Sequence, residues 1–284
     1  MMRMGFIGVG LMGQGMAECL LKAGHALVVS AHSNHKPIEQ LILLGAEEVA
    51  DATAVAESVD VLFLCLPNAD TVLSVMNQIM PALRIGALVI DTSTSLPERS
   101  SELAARLRDR GVGFVDAPVT GGPEGAAAGT LTSMVGGYEP DYQRALSLIN
   151  CYSESVVYFG TSGSGNKAKL IHNFITTGQV ALIVEAMRCC DKAGLDRAQL
   201  YEVLSQGGAS SKTLSKLMPS ALAGSYDGHR FTLENASKDV DYMAYMLAQL
   251  KEQSRMIEGL QQFYHQELEH YPKDTFLSGL LKNK

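Results

Sequence analysis

The stretch from Gly163 to Lys192, GSGNKAKLIHNFITTGQVALIVEAMRCCDK, carries unbroken helical character up to Gly194. Glycine suits the position just past a helix C-terminus. About 27 helical residues rise about 40 Å, the width of a whole domain. Such a rod can close the first half of the chain and serve as the core of the second. Lys169 and Asn173 lie one turn apart near its start and so share a face. Leu170, Ile171, Phe174, Ile175, Leu182 and Ile183 cover much of the remainder. A cation beside an amide near the start of such a rod is the expected seat of chemistry.

A chain of 284 residues favours two domains. The expected division is a sheet domain over 1–162, the connecting helix over 163–193 and an all-helical domain over 194–284. With 46% hydrophobic and 19% charged residues the chain can bury a sizeable core. A net charge of −7 argues against a nucleic-acid or membrane-surface binder, so a small ligand is expected. Its 5 cysteines show no CxxC or Cys/His ligand spacing, so no metal is expected and a reducing compartment is. The start, MMRMGFIGVG, is not a signal peptide, and no apolar run reads as the roughly 20 residues a bilayer span needs. A cytoplasmic protein without membrane attachment is the expectation.

Met4–Val9 is a short apolar run that meets Gly8-Val9-Gly10-Leu11-Met12-Gly13, followed by a helical pattern to Lys22. Strand, glycine turn and helix form the context in which GxGxxG signals a dinucleotide. Glycine at 8 permits the tight turn, at 10 the approach of a pyrophosphate, and at 13 close helix–strand packing. Amides at the helix start then face the phosphate. Ala26–Ser30 is the next strand. Beyond it, where a carboxylate would hold the ribose of NAD, stands His32-Ser33-Asn34, with nothing acidic between Glu18 and Glu39. A hydroxyl, an amide and neighbouring cations favour NADP over NAD, although no arginine is present to grip a phosphate bidentately.

Further apolar runs at Val61–Leu66, Ala87–Asp91 and Val112–Asp116 alternate with helical patterns over 69–83 and 97–110. This period predicts an α/β domain of Rossmann type, a doubly wound parallel sheet with ligands beyond the carboxyl ends of its strands. Leu66, Pro67 and Thr94 fall on those ends as cofactor neighbours; Thr94 equally suits a helix cap before Pro97. The stretch DAPVTGGPEGAAAGTL at 116–131 reads as a glycine-rich loop ahead of a strand at Leu131–Val135. The Thr120 hydroxyl and the unshielded amides of Gly121 and Gly122 suit a carboxylate, which needs several donors in a concave backbone. Ser155–Phe159 is the last expected strand.

Four stretches together carry a resemblance: GFIGVGLMGQGMA at 5–17, DAPVTGGPEGAAAGTL at 116–131, GSGNKAKLIHN at 163–173, and Lys238-Asp239. In that order and spacing the sequence resembles the β-hydroxyacid dehydrogenases, the group that includes 3-hydroxyisobutyrate dehydrogenase and tartronate semialdehyde reductase. The resemblance implies a Rossmann domain joined by a long interdomain helix to an all-α domain, as in 6-phosphogluconate dehydrogenase. It implies Lys169 as the catalytic lysine with Asn173 in support, and Thr120, Gly121 and Gly122 as the loop for the substrate carboxylate. It places Lys238 near the nicotinamide and Thr94 on the cofactor. His32-Ser33-Asn34 matches neither the acidic pattern of NAD-preferring members nor the Asn-Arg of NADP-preferring ones. The family's glycine- and proline-containing break after residue 250 is also missing, since no proline follows until Pro272.

From Asp196 the pattern is wholly helical, with stretches ending at Gly207-Gly208 and covering 210–222, about 232–250, 255–270 and a tail from Thr275. Phe231, Asn235 and Lys238 fall near one helix face; Phe231 suits core packing or a substrate contact. The expected reaction is hydride exchange between a nicotinamide and a short β-hydroxy acid, with Lys169 as general acid and base. None of the 10 tyrosines has a lysine four residues on, so the Tyr-x-x-x-Lys dyad is absent. His172 is the alternative base. A dinucleotide-binding sensor without catalysis is the rival class, and reduction of glyoxylate or succinic semialdehyde is the rival chemistry. A homodimer or homotetramer is expected from the apolar helical half.

Overall fold

A computed structural model describes residues 2–31 and 35–282, so the cofactor expectations at His32, Ser33 and Asn34 lie outside the described residues. The chain divides into two compact units, Met1–Lys169 and Leu170–Lys284.

The first unit alternates strands and helices: β1 (Arg3–Ile7), α1 (Leu11–Lys22), β2 (Ala26–Val29), α2 (Lys36–Leu43), β3 (Glu47–Glu48), α3 (Ala52–Ser58), β4 (Val61–Leu64), α4 (Ala69–Ile79), β5 (Leu88–Asp91), α5 (Pro97–Arg108) and β6 (Gly113–Asp116). There follow β7 (Val119–Thr120), α6 (Gly122–Ala128), β8 (Leu131–Gly137), α7 (Glu139–Ile149) and β9 (Ser153–Tyr158). The sheet order is β3-β2-β1-β4-β5-β6-β8-β7, with β9 on β8. From β3 to β6 every pairing is parallel. Strands β4, β5 and β6 are buried throughout, as a sheet covered on both faces requires. One hydrophobic cluster, with Phe6, Leu20, Phe63 and Tyr152, lies on one side. Another, with Leu62, Met76, Val89 and Phe114, lies on the other.

Two features differ from the sequence reading. The sheet is not parallel to its end, because β8 runs antiparallel to β6 and β7. The short connection from Asp116 to Leu131 has no room for a full crossover helix, so the chain must turn back. The expected loop at 116–131 is itself structured, as the short strand β7 and helix α6. Its run of alanines favours helix once Gly121, Gly122 and Pro123 have started it.

Helix α8 (Ser164–Lys192) leaves the first unit and continues into the second. There follow α9 (Arg197–Gln206), α10 (Lys212–Leu222), α11 (Leu233–Gln249) and α12 (Arg255–His270), then a 3₁₀ turn at Leu277–Leu281. Asp196, Ser211, Thr232 and Ser254 cap these helices, each accepting from the amide three residues on. The break after residue 250 forms without glycine or proline: Lys251 adopts φ 58° and ends α11, and Ser254 starts α12. The second core gathers Val180, Val184 and Met187 of α8 with Leu217, Val240, Leu260 and Tyr264. By length and composition α8 is long and apolar enough to cross a bilayer, contrary to the sequence expectation. Only part of its apolar surface supplies this core; Ile171, Ile175 and Leu182 are exposed.

Candidate active site

The glycine turn after β1 has the shape a pyrophosphate needs. Gly8 sits at φ 99°, and a Cβ there would lie 2.2 Å from the Cys65 carbonyl oxygen. A Cβ on Gly13 would lie 2.1 Å from the Gly8 oxygen, so glycine lets α1 start directly against the strand end. A Cβ on Gly10 would meet nothing within 4 Å. That open space lies over the N-terminus of α1, which has no side-chain cap and no acidic residue in its first turn. These residues fit a dinucleotide phosphate, whose charge the helix-start amides would meet. Val9 and Met12 pack inward against the core, whereas Leu11 is exposed.

The neighbouring strand ends are tied together. The Leu66 amide donates to Ser93 Oγ at 2.8 Å, and Thr92 Oγ1 donates to the Leu64 carbonyl at 2.7 Å. Pro67 is exposed beside them and Thr94 is half-buried. Helix α5 has Leu96 at its N-cap, without a side-chain bond, so Thr94 is not its cap.

Thr120 ends β7, opposite Thr132. Gly121 follows at φ 137° as the N-cap of α6, again with no capping side chain. Two consecutive helix-start amides, Gly121 and Gly122, thus lie beside a hydroxyl. Gly15 of α1 lets α6 come close, since a Cβ there would lie 2.6 Å from the Ala127 amide nitrogen. Cys19 Sγ bonds the Ala126 carbonyl at 3.3 Å. Helix α1 with its glycine turn and helix α6 with the Thr120-Gly121-Gly122 turn are therefore packed as one piece.

Lys169, on α8, is the last residue of this unit and only 8% exposed. Buried lysine is uncommon because desolvation costs several kcal/mol. Two carboxylates are also fully buried in the sheet of this unit. Asp91 and Asp116 stand opposite one another on β5 and β6. Burial pushes Asp91 up to about 6 against the opposing pull of hydrogen bonds from Ser93. Burial pushes Asp116 up to about 7, resisted by the amides of Gly163 and Asn166.

In the second unit Asn173 is buried and donates through Nδ2 to Asp239 Oδ2 at 2.5 Å. Its Oδ1 lies 2.9 Å from His172 Nδ1. Asp239 Oδ1 lies 2.9 Å from Lys238 Nζ, an ion pair without hydrogen-bond alignment. The ammonium also stands 5.2 Å from the centre of the Tyr242 ring. Asp239 is therefore the hub of this cluster. No role for it follows from the sequence beyond its place next to Lys238; the signal it carries there is an acid on the buried stripe of an amphipathic helix. Phe231 is partly buried against the second core, with its ring edge-on to His229. Among the described residues no group of three His, Cys, Asp or Glu is placed to hold a metal.

Residues 3–160 match the family described as the NAD-binding domain of 6-phosphogluconate dehydrogenase. Residues 163–282 match the NAD-binding family of NADP-dependent 3-hydroxyisobutyrate dehydrogenase. The chain belongs to the β-hydroxyacid dehydrogenases. It is 34% identical over 217 residues to 2-hydroxy-3-oxopropionate reductase of Escherichia coli, covering 75% of this chain and 73% of that one. It is 30% identical over 242 residues to 2-(hydroxymethyl)glutarate dehydrogenase of Eubacterium barkeri, covering 84% and 80%. A crystal structure described as 3-hydroxyisobutyrate dehydrogenase of Salmonella typhimurium superposes with a TM-score of 0.91 at 25% identity, covering 99% of each chain. As a β-hydroxyacid dehydrogenase the protein is an oxidoreductase that uses NADP or NAD and acts on a CH–OH group.

Proposed function

We propose that this dehydrogenase interconverts a short β-hydroxy acid and its semialdehyde, with Lys169 as the general acid and base. The nicotinamide, when bound, supplies or accepts the hydride. Gly8 to Gly13 hold its pyrophosphate, with Leu66, Pro67 and Thr94 along the cofactor and Lys238 at the nicotinamide end. Thr120 Oγ1 and the amides of Gly121 and Gly122 hold the substrate carboxylate and so orient the reacting carbon. Lys169 Nζ hydrogen-bonds the carbonyl oxygen, stabilises the negative charge developing there and delivers a proton to it. In the oxidative direction the same nitrogen takes the hydroxyl proton. Asn173 holds the lysine or the substrate without adding charge. NADP is the favoured cofactor, because no acid stands beyond β2 to repel a 2′-phosphate.

The observation that carries this reading is the burial of Lys169 in the unit that also holds the phosphate turn and the carboxylate turn. Lys169→Ala should lower kcat by about 10²–10⁴-fold while cofactor Kd stays within about threefold. Turnover near the unmodified rate would remove Lys169 from the chemistry. The substrate is found by comparing NADPH and NADH across methylmalonate, tartronate and succinic semialdehydes, glyoxylate and the aldehyde of 2-(hydroxymethyl)glutarate. No turnover with any of them would favour the sensor class.

The protein assembles as a homodimer or homotetramer: Ile171, Ile175 and Leu182 recur at helical spacing on α8 and are about half exposed, an apolar stripe a second copy would cover. Its 5 cysteines are all free, which fits a reducing cytoplasm.

A further inference from the structure

We propose that Asp116 and Asn166 form a clamp that positions Lys169 by fixing the first turn of α8 to the strand ends bearing the two ligand turns. The proposal rests on Lys169 being the proton donor. Asp116 Oδ1 accepts from the Gly163 amide at 2.7 Å, and Oδ2 accepts from the Asn166 amide at 2.9 Å. These are start-of-helix amides that have no partner within α8. The side chain of Asn166 then reaches the other way. Its Oδ1 accepts from the Ser95 amide at 2.8 Å, and its Nδ2 donates to Ser100 Oγ at 3.1 Å. Both Asp116 and Asn166 are 0% exposed.

Three segments meet at these two side chains. Asp116 ends β6 and is four residues ahead of Thr120. Ser95 adjoins Thr94. Asn166 is three residues ahead of Lys169, on the same side of the helix. One hydrogen-bonded knot thus ties together the segments that lead to the Thr120 turn, to Thr94 and to the lysine.

The surrounding backbone leaves the knot no slack. A Cβ on Gly165 would lie 2.5 Å from the Met134 oxygen and 2.6 Å from the Asp116 oxygen. A Cβ on Gly136 would lie 2.6 Å from the Gly165 nitrogen. Helix start and strand therefore touch main chain to main chain, at a distance no side chain permits. Asparagine at 116 would keep one acceptor and place an NH2 group against a backbone N–H. One helix amide would then be buried without a partner. The helix start would shift or tilt to recover it, carrying the Lys169 nitrogen with it. Reacting groups tolerate little displacement: about 1 Å can cost on the order of 10²-fold in rate.

The test is a double-mutant cycle on kcat with Asp116→Asn, Lys169→Ala and the double variant. Asp116→Asn alone should lower kcat about tenfold or more, with KM for the aldehyde and Kd for the cofactor within about threefold. In the Lys169→Ala background it should change the residual rate by less than about twofold, because the group it positions is gone. An equal loss in both backgrounds would overturn the clamp while leaving Lys169 catalytic. Near-normal turnover in Lys169→Ala would overturn both readings. Asn166→Ala, which leaves the backbone amide on Asp116, should show the same non-additivity and serves if Asp116→Asn does not fold. In the unmodified protein the amides of Gly163 and Asn166 should exchange with solvent as slowly as the sheet core; rapid exchange would overturn the clamp without any variant.

Discussion

Each unit buries an aspartate at the centre of a polar cluster, and the two are solvated by different means. Asp116 is met by backbone amides of a helix start, with no described ion pair. Asp239 is met by side chains, the amide of Asn173 and the ammonium of Lys238. Backbone donors come with the fold and survive side-chain replacement around them. Side-chain donors exist only if two helices are in register and both residues are retained. The first arrangement is buried with no cation in a described ion pair, and burial raises the carboxyl despite its two amide donors. The second brings its own cation.

The largest expected effect breaks the second cluster. Asp239→Ala removes the carboxylate that pairs with Lys238 and accepts from Asn173. Unfolding in urea should show a loss of about 3 kcal/mol, as for removal of one partner of a buried pair. A loss below about 0.5 kcal/mol would mean that solvent already carries these groups.

Next comes a pH test of Asp91, which stands opposite Asp116 in the sheet. Asp91 is raised from 3.8 to about 6, mainly by burial. The folded state therefore holds a proton over a range where the unfolded chain has released it. The stabilising contribution is fully present below about pH 4 and is lost as pH rises through about 6. Asp91→Asn removes this dependence, so its stability relative to the unmodified protein should rise by on the order of 2 kcal/mol between pH 4 and 7. Urea titrations at both pH values decide it; parallel behaviour would place Asp91 in contact with water.

A smaller effect separates a glycine kept for a ligand from one kept for packing. Gly13→Ala should cost about 1–3 kcal/mol, because its Cβ meets the Gly8 carbonyl. Gly10→Ala should leave Tm within about 2 °C while raising cofactor Kd at least about tenfold, since its Cβ occupies only the ligand's space. Equal cofactor affinity in Gly10→Ala would sink the phosphate assignment.

The smallest concerns Phe231. Its packing on the second core predicts that Phe231→Leu lowers stability by about 1 kcal/mol and leaves KM within about twofold. A large rise in KM with unchanged Tm would instead make it a substrate contact.

Much of this architecture could be read along the chain. The strand, glycine turn and helix at its start, the alternation through Asp116, and the rod from Ser164 to Lys192 all rest on patterns of neighbouring residues. Periodicity and turn chemistry are local, so they survive without coordinates. The Gly8–Gly13 turn and the Thr120-Gly121-Gly122 turn were legible for the same reason.

The rest depends on partners far apart in the chain. Asp116 meets Asn166 across 50 residues, and Asn173 meets Asp239 across 66. Neither meeting leaves a periodic trace, because a polar residue inside an apolar run looks the same whether it is satisfied by a distant amide or faces water. The reversal at β8 and the folding of α6 onto Gly15 likewise follow from which surfaces remain to be covered once the sheet exists. Local preference names the elements. Which buried donor finds which acceptor is set only when packing has removed the water that would otherwise serve them all.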